Sequence, residues 1–187
     1  MNGDAIMNQE IAAGDLAAKL KTIIRDVPDF PKKGIIFKDI TPLLSDHAAF
    51  SEMIGNFAAH YRTAGITKVL GIEARGFLLA SPIALALGAG LAPVRKKGKL
   101  PYKTVSASYA LEYGTDTLEI HEDAIKAGEK VLIVDDVLAT GGTAGAVCSL
   151  VEKLGGKVAG VAMMIELEFL NGRAKLPGRD IYSLIKY

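Results

Sequence analysis

Two kinds of apolar repeat alternate along the chain. Leu16, Leu20, Ile23, Ile24 and Val27 keep one helical face apolar, which predicts an amphipathic helix over about Asp15 to Asp26, ended by Pro28. Pro28 to Gly34 (P-D-F-P-K-K-G) is turn-rich and unsuited to regular structure. Ile35 to Phe37 is a short apolar run, and Asp39 to Pro42 is a second break. Asp46 suits the N-cap of a helix whose apolar face is Phe50, Met53, Ile54, Phe57 and Tyr61, with Gly65 ending it. Lys68 to Ile72 is the first buried parallel strand. A helix follows over Gly76 to Leu87, in which Pro82 predicts a kink or local break. Leu91 to Arg95 is a second strand. Tyr102 to Tyr113 and Thr117 to His121 alternate as a hairpin does, with Gly114-Thr115-Asp116 as its tip. Val131 to Val134, Lys157 to Ile165 and Asp180 to Ile185 are further strands. A helical pattern of Ala144, Val147, Cys148, Leu150, Val151 and Leu154 lies among them. Strands alternating with helices imply an α/β fold: an open, mostly parallel twisted sheet with flanking helices and one β-hairpin. Ligands on such sheets bind beyond the strand C-termini, so the turns after Ile72, Arg95 and Asp136 are expected to face one crevice.

Composition narrows the class without changing this picture. The 187 residues suffice for one α/β domain, expected over 15–187 behind a loose leader at 1–14. A net charge of +1 calls for neither a nucleic-acid partner nor a membrane surface, so any basic function is local. No apolar run approaches the roughly 20 residues of a membrane span. Cys148 is the one cysteine, which forbids an internal disulfide and fits a reducing, cytoplasmic setting. His47, His60 and His121 have no mutual spacing that suggests a triad or a metal site.

The chemistry concentrates in Val131 to Thr143, V-L-I-V-D-D-V-L-A-T-G-G-T. A buried strand ends in Asp135 and Asp136, and Ala139, Thr140, Gly141, Gly142 and Thr143 then lead into a helix. Two adjacent acids at the end of a buried strand are costly unless something uses them. A glycine-rich turn before a helix points backbone N–H groups and the helix dipole at an anion. The loop has neither the Gly-Lys-Ser/Thr of a Walker loop nor G-x-G-x-x-G spacing. Phosphate and diol recognition together suggest a ribose 5-phosphate. Arg75 follows the strand Lys68 to Ile72 at a helix start, where the dipole disfavours a cation. Arg95 to Lys103 carries five basic residues in nine.

The stretch Val131 to Thr143 resembles the phosphoribosyl-pyrophosphate motif of type I phosphoribosyltransferases. Four further segments extend the resemblance to the adenine phosphoribosyltransferase family: Phe30 to Leu44, Gly71 to Phe77 (G-I-E-A-R-G-F), Arg95 to Pro101 and Tyr109 to Gly114. It implies the reaction adenine + phosphoribosyl pyrophosphate (PRPP) → AMP + pyrophosphate, with Mg2+ carried by PRPP and no protein metal cage, in a homodimer. Ala139 to Thr143 would hold the 5-phosphate, and Asp135 and Asp136 the ribose hydroxyls. Arg75, Arg95, Lys96 and Lys99 would bind pyrophosphate. Tyr102 to Leu118 would be a catalytic loop in which Glu112 moves the purine proton. A hood over about 28–44 would present Ile35 and Ile36 to adenine. Lys38 stands where the family commonly has arginine. The resemblance further implies a cis peptide at Glu73-Ala74. A 6-oxopurine enzyme, or a non-catalytic sensor of PRPP, stays open at this point.

Overall fold

The computed structural model describes residues 14–111 and 114–187. It divides into two compact units, residues 1–56 and 57–187. The expected leader falls almost wholly outside the described residues.

In the first unit a helix, α1, covers 14–23 and ends earlier than its apolar period suggests. Arg25–Pro28 (β1) instead pairs antiparallel with Ile36–Asp39 (β2). Ion pairs accompany the pairing: Lys38 Nζ lies 2.7 Å from Asp26 Oδ1 directly across it, and Arg25 lies 3.7 Å from Asp39. Pro28 is tolerated because it ends a strand in a two-stranded sheet. The intervening turn contains a cis Phe30–Pro31 bond and is held by Asp29 Oδ1, which accepts from Gly34 N at 2.6 Å. Asp39 to Pro42 is not a plain break. It starts a short helix, α2 (Thr41–Ser45), with proline in the first turn, where its missing N–H costs nothing. Asp46 caps α3 (His47–Tyr61) as expected, accepting from Ala49 N at 3.0 Å.

The second unit is built on a seven-stranded sheet. Its parallel strands are β3 (Lys68–Ile72), β4 (Gly90–Lys96), β7 (Lys130–Leu138), β8 (Lys157–Glu166) and β9 (Ile181–Lys186), in the spatial order β4-β3-β7-β8-β9. An antiparallel hairpin, β5 (Thr104–Leu111) and β6 (Gly114–His121), extends the β4 edge through Arg95↔Glu119 and Lys96↔Leu118. Helices α4 (Gly76–Leu87) and α5 (Gly142–Lys153) pack against the sheet. Val131 to Val134 and Val161 to Ile165 are at most 1% exposed, as continuous apolar strands covered on both faces should be.

Three expectations change. Of the kink or local break expected at Pro82, the break is absent: α4 is continuous around it, and burial of Leu79, Ala80, Ile83 and Ala84 offsets the lost hydrogen bond. Gly114 to Asp116 is not the hairpin tip. Leu111 pairs with Gly114 and Tyr109 with Asp116, so the ladder runs on through these residues. Finally, β7 continues past Val134 to Leu138, with Asp135 opposite Met163 and Val137 opposite Ile165. The acidic pair therefore lies within the strand, because the β8 ladder satisfies its backbone whatever the side chains carry.

The close approach of Tyr61 to β8 locks this core. Its ring lies against the Cα of Gly160, and its hydroxyl donates to Val161 O at 3.3 Å. Burial, reinforced by the charge of Asp180, pushes its pKa far above the ordinary value. A Cβ on Gly160 would intrude on the ring, so Gly160→Ala should destabilise the protein by about 1–3 kcal/mol in urea unfolding.

Candidate active site

The site begins where β7 gives way to α5. Asp135, Val137, Leu138, Ala139, Thr140, Gly141, Thr143, Ala144 and Met163 line a cavity of about 60 Å³, room for several water-sized atoms. Gly141 caps α5 with φ +78°, a left-handed angle that glycine adopts without steric cost. Gly142 is already helical and needs no such freedom. No side chain caps α5, and no acidic residue occupies its first turn. Its first N–H groups and dipole are therefore turned toward the end that carries Thr140 and Thr143.

The two aspartate carboxyls lie side by side where the Arg75–Gly76 turn meets β7. Asp135 lines the cavity, and Asp136 Oδ2, itself buried, lies 2.7 Å from Nη2 of the partly exposed Arg75. Asp135 Oδ1 accepts from Asp136 N at 2.9 Å. Burial first, and the neighbouring Asp136 carboxylate second, hold the Asp135 carboxyl well above the usual carboxylate range, against the pull of that N–H and of Arg75.

Arg75 belongs to the turn after β3, where the Glu73–Ala74 peptide is cis. The turn approaches β7 closely: a Cβ on Gly76 would lie 2.9 Å from both Asp135 Oδ1 and Val134 O. Glu73 gives this turn a function that sequence reasoning missed. Its carboxylate accepts from Arg95 Nε at 3.2 Å, Arg95 Nη2 at 3.3 Å and Lys96 N at 3.0 Å. Burial works to raise its pKa. The Arg95 and Lys96 hydrogen bonds, with the charges of Arg95 and Lys99, outweigh that and hold it below its ordinary value. Arg95 Nη1 also donates to Lys99 O at 3.0 Å, so its guanidinium ties the Glu73 turn to the basic segment.

That basic segment is structured. Buried Glu119, on β6, accepts from Gly98 N at 2.9 Å. Lys96 Nζ lies 3.4 Å from Asp116, also on β6. Lys99 is exposed. Glu112 lies outside the described residues. In the first unit, Ile35 and Ile36 are 46% and 57% exposed, and Lys38 is paired with Asp26 as above.

A second missed element is the strap between β8 and β9, two 3-10 turns at Glu168–Leu170 and Gly172–Lys175. Leu167 N donates to Leu138 O at 2.9 Å, and the Gly172 backbone packs directly on Ala139 and Gly141. The Asn171-Gly172 pair, a turn signature, was the available signal.

A backbone cradle for an anion, set beside carboxylates on a parallel strand, is suited to a sugar phosphate. The family model of the phosphoribosyl transferase domain matches residues 40–182, which places the chain in that class. An adenine phosphoribosyltransferase of Geotalea daltonii is 58% identical over 169 residues, 90% of this chain and 99% of that protein. Among solved structures, the adenine phosphoribosyltransferase of Thermoanaerobacter pseudethanolicus superimposes with a TM-score of 0.89 at 54% identity, covering 91% of this chain and 99% of the other. The Saccharomyces cerevisiae enzyme, complexed with adenine and an imino-altritol bisphosphate, gives 0.87 at 42% identity over 91% and 99% of the two chains. The chain belongs to the adenine phosphoribosyltransferase family.

The Asp135 environment has a measurable consequence. A carboxyl whose folded-state pKa is raised binds its proton more tightly folded than unfolded. Its contribution is complete below the unfolded pKa and is lost as pH rises through the folded value. Asp135→Asn keeps the shape and removes the ionisation. It should melt about 2–4 °C above wild type at pH 8, roughly 1 kcal/mol in a chain of this size, with the gap closing toward pH 4. Thermal melts across that range measure it.

Proposed function

We infer that the chain transfers the 5-phosphoribosyl group from PRPP to adenine, giving AMP and pyrophosphate in purine salvage. The observation that carries this reading is identity of 51–58% with adenine phosphoribosyltransferases over at least nine-tenths of the chain. In the reaction, N9 of adenine bonds to the anomeric carbon as its bond to the pyrophosphate oxygen breaks, and the imidazole proton leaves the ring.

Residue roles follow from chemistry and resemblance. Ala139, Thr140, Gly141, Gly142 and Thr143 take the 5-phosphate. Asp135 and Asp136 take the ribose hydroxyls and stabilise positive charge developing at the anomeric carbon. Arg75, Lys96 and Lys99 meet the pyrophosphate. Arg95 joins them and holds the Glu73 turn in place. Glu112 receives the purine proton. Ile35 and Ile36 contribute apolar contact to adenine and, with their backbone, select the 6-amino edge; Lys38 completes that segment. PRPP arrives as its Mg2+ complex. Among the described residues no group of three or more His, Cys, Asp or Glu is placed to hold a metal, and phosphate oxygens supply hard ligands of the kind Mg2+ prefers. A cytoplasmic location completes the reading, supported by a lone, buried cysteine.

We also propose a homodimer. Leu78 and Leu85, two turns apart on one face of α4, are 51% and 84% exposed. Leu85→Asp should convert the dimer to monomer in sedimentation equilibrium.

The substrate assignment is tested by turnover. The kcat/KM for adenine should exceed that for hypoxanthine, guanine and xanthine by at least about a hundredfold, because an edge built for an amino group leaves an oxo group unpaired. Hypoxanthine outrunning adenine would refute the base assignment. Arg75→Ala should reduce kcat/KM by about 10²–10³-fold, the usual loss of one cationic stabiliser.

A further inference from the structure

The strap between β8 and β9 supplies no residue to the roles above, yet its backbone forms one wall of the phosphate loop. A Cβ built on Gly141 would run into Gly172 O, and one built on Gly172 into Ala139 O. The two backbones are thus in mutual contact with no side chain between them. Any shift of Gly172 is transmitted to Ala139 to Gly141.

Little apolar packing holds the strap in that position. Of residues 167–176, only Gly172 and Leu176 are buried, and Leu176 lies four residues beyond the contact. At its start Glu168 N donates to Tyr187 O at 2.9 Å and the Glu168 carboxylate lies 3.0 Å from Lys186 Nζ; beside Gly172 itself the anchor is Arg173. Arg173 Nε and Nη2 donate to the two carboxylate oxygens of Glu166, each at 2.7 Å, in a fork-to-fork pair. Arg173 Nη1 donates to Ile181 O at 3.2 Å and Nη2 to Ser183 Oγ at 3.4 Å. Glu166 is 4% exposed at the end of β8, one residue before Leu167 returns its N–H to Leu138 O. Arg173 therefore fixes the strap to two strands at once, and the planar fork sets both distance and orientation.

We propose that the Arg173–Glu166 pair is a positioning device for substrate binding, setting through Gly172 the geometry of the loop that takes the PRPP 5-phosphate. This rests on the assignment of Ala139 to Thr143 to that phosphate. A cradle of backbone N–H groups depends on placement to well under 1 Å, so loosening its wall weakens grip on the phosphate rather than the chemistry at the anomeric carbon.

The test is steady-state kinetics with both substrates varied, on wild type, Arg173→Gln, Arg173→Lys, Gly172→Ala and Thr143→Ala, with thermal melts confirming folding. Arg173→Gln should raise the KM for PRPP about tenfold while kcat and the KM for adenine stay within about threefold, the pattern of lost binding common to ground and transition states. Arg173→Lys should fall between, since it keeps the charge and loses the fork. A fall in kcat with the PRPP KM unchanged, or an equal rise in both KM values, would assign the pair a merely structural role and overturn the proposal. If Arg173→Gln does not fold, Gly172→Ala decides by the same split. Thr143→Ala separates the two levels. If it raises the PRPP KM and the strap variants do not, the phosphate assignment stands and the strap proposal falls. If it leaves that KM unchanged, both fall.

Discussion

Two neighbouring carboxylates on a central strand cannot be buried without compensation, and the turn after β3 is shaped to supply it. Asp136 is 6% exposed and is met by Arg75 at 2.7 Å. Asp135 accepts its neighbour's N–H and retains a raised pKa, so its ionisation is still disfavoured. The turn that brings Arg75 to β7 must come so close that Gly76 has no room for a side chain. The positive end of α5 opens only a few residues further along the same strand–loop–helix unit. Strand, turn and helix therefore answer one electrostatic requirement.

The basic segment obeys the same logic with the signs reversed. A run such as Arg95-Lys96-Lys97-Gly98-Lys99 would be a solvated, mobile patch if nothing anchored it. Here Glu73 holds Arg95 and the Lys96 amide, Glu119 holds the Gly98 amide, and Asp116 meets the Lys96 ammonium. One anchor comes from the turn that carries Arg75, and the other two from the hairpin. Lys153, at the end of α5, also donates to Ser106 O on β5 at 3.0 Å. The segments proposed to handle pyrophosphate, ribose and proton transfer are thus linked by polar contacts among a turn, the hairpin strands and the end of α5.

This division explains what the sequence reveals. Buried parallel strands carry their signal in themselves: β3 and α4 occupy the ranges that hydrophobic period assigns them, and β7, β8 and β9 are displaced by only a few residues. The acidic pair and the glycine loop are legible for the same reason, since charge next to a buried strand has few structural explanations. Elements held by cross-strand charges are less legible. β1 reads as helix because Ile23, Ile24 and Val27 keep helical spacing; the β2 partner that makes it a strand, Lys38 opposite Asp26, lies twelve residues on. Glu73, Glu119 and Arg173 carry no local signal of their partners, which are 21 to 23 residues away in two cases and, for Arg173, across an irregular turn. Gly172 looks like any turn glycine, since its neighbour Gly141 is remote in sequence.

A reaction that moves a phosphoribosyl group needs opposite fields within a few ångströms. Phosphate and pyrophosphate demand positive potential, and the anomeric carbon, becoming cationic, demands negative potential between them. A net charge of +1 over the whole chain cannot provide this, so the fields must be local. The proposed assignment provides them by giving each field a different structural origin. Carboxylates sit on the strand, backbone N–H groups open the helix, and guanidinium and ammonium groups come from the turn after β3, the end of β4 and the turn that follows it. Strand side chains are placed by the sheet register and helix N–H groups by the cap, and neither depends on long side chains finding their rotamers. Only the cations do, and for Arg75, Arg95 and Lys96 the protein has added carboxylate anchors. The precision of the site is therefore highest where the sheet supplies it, and where the sheet ends it is restored by hydrogen bonds to Glu73 and Glu119.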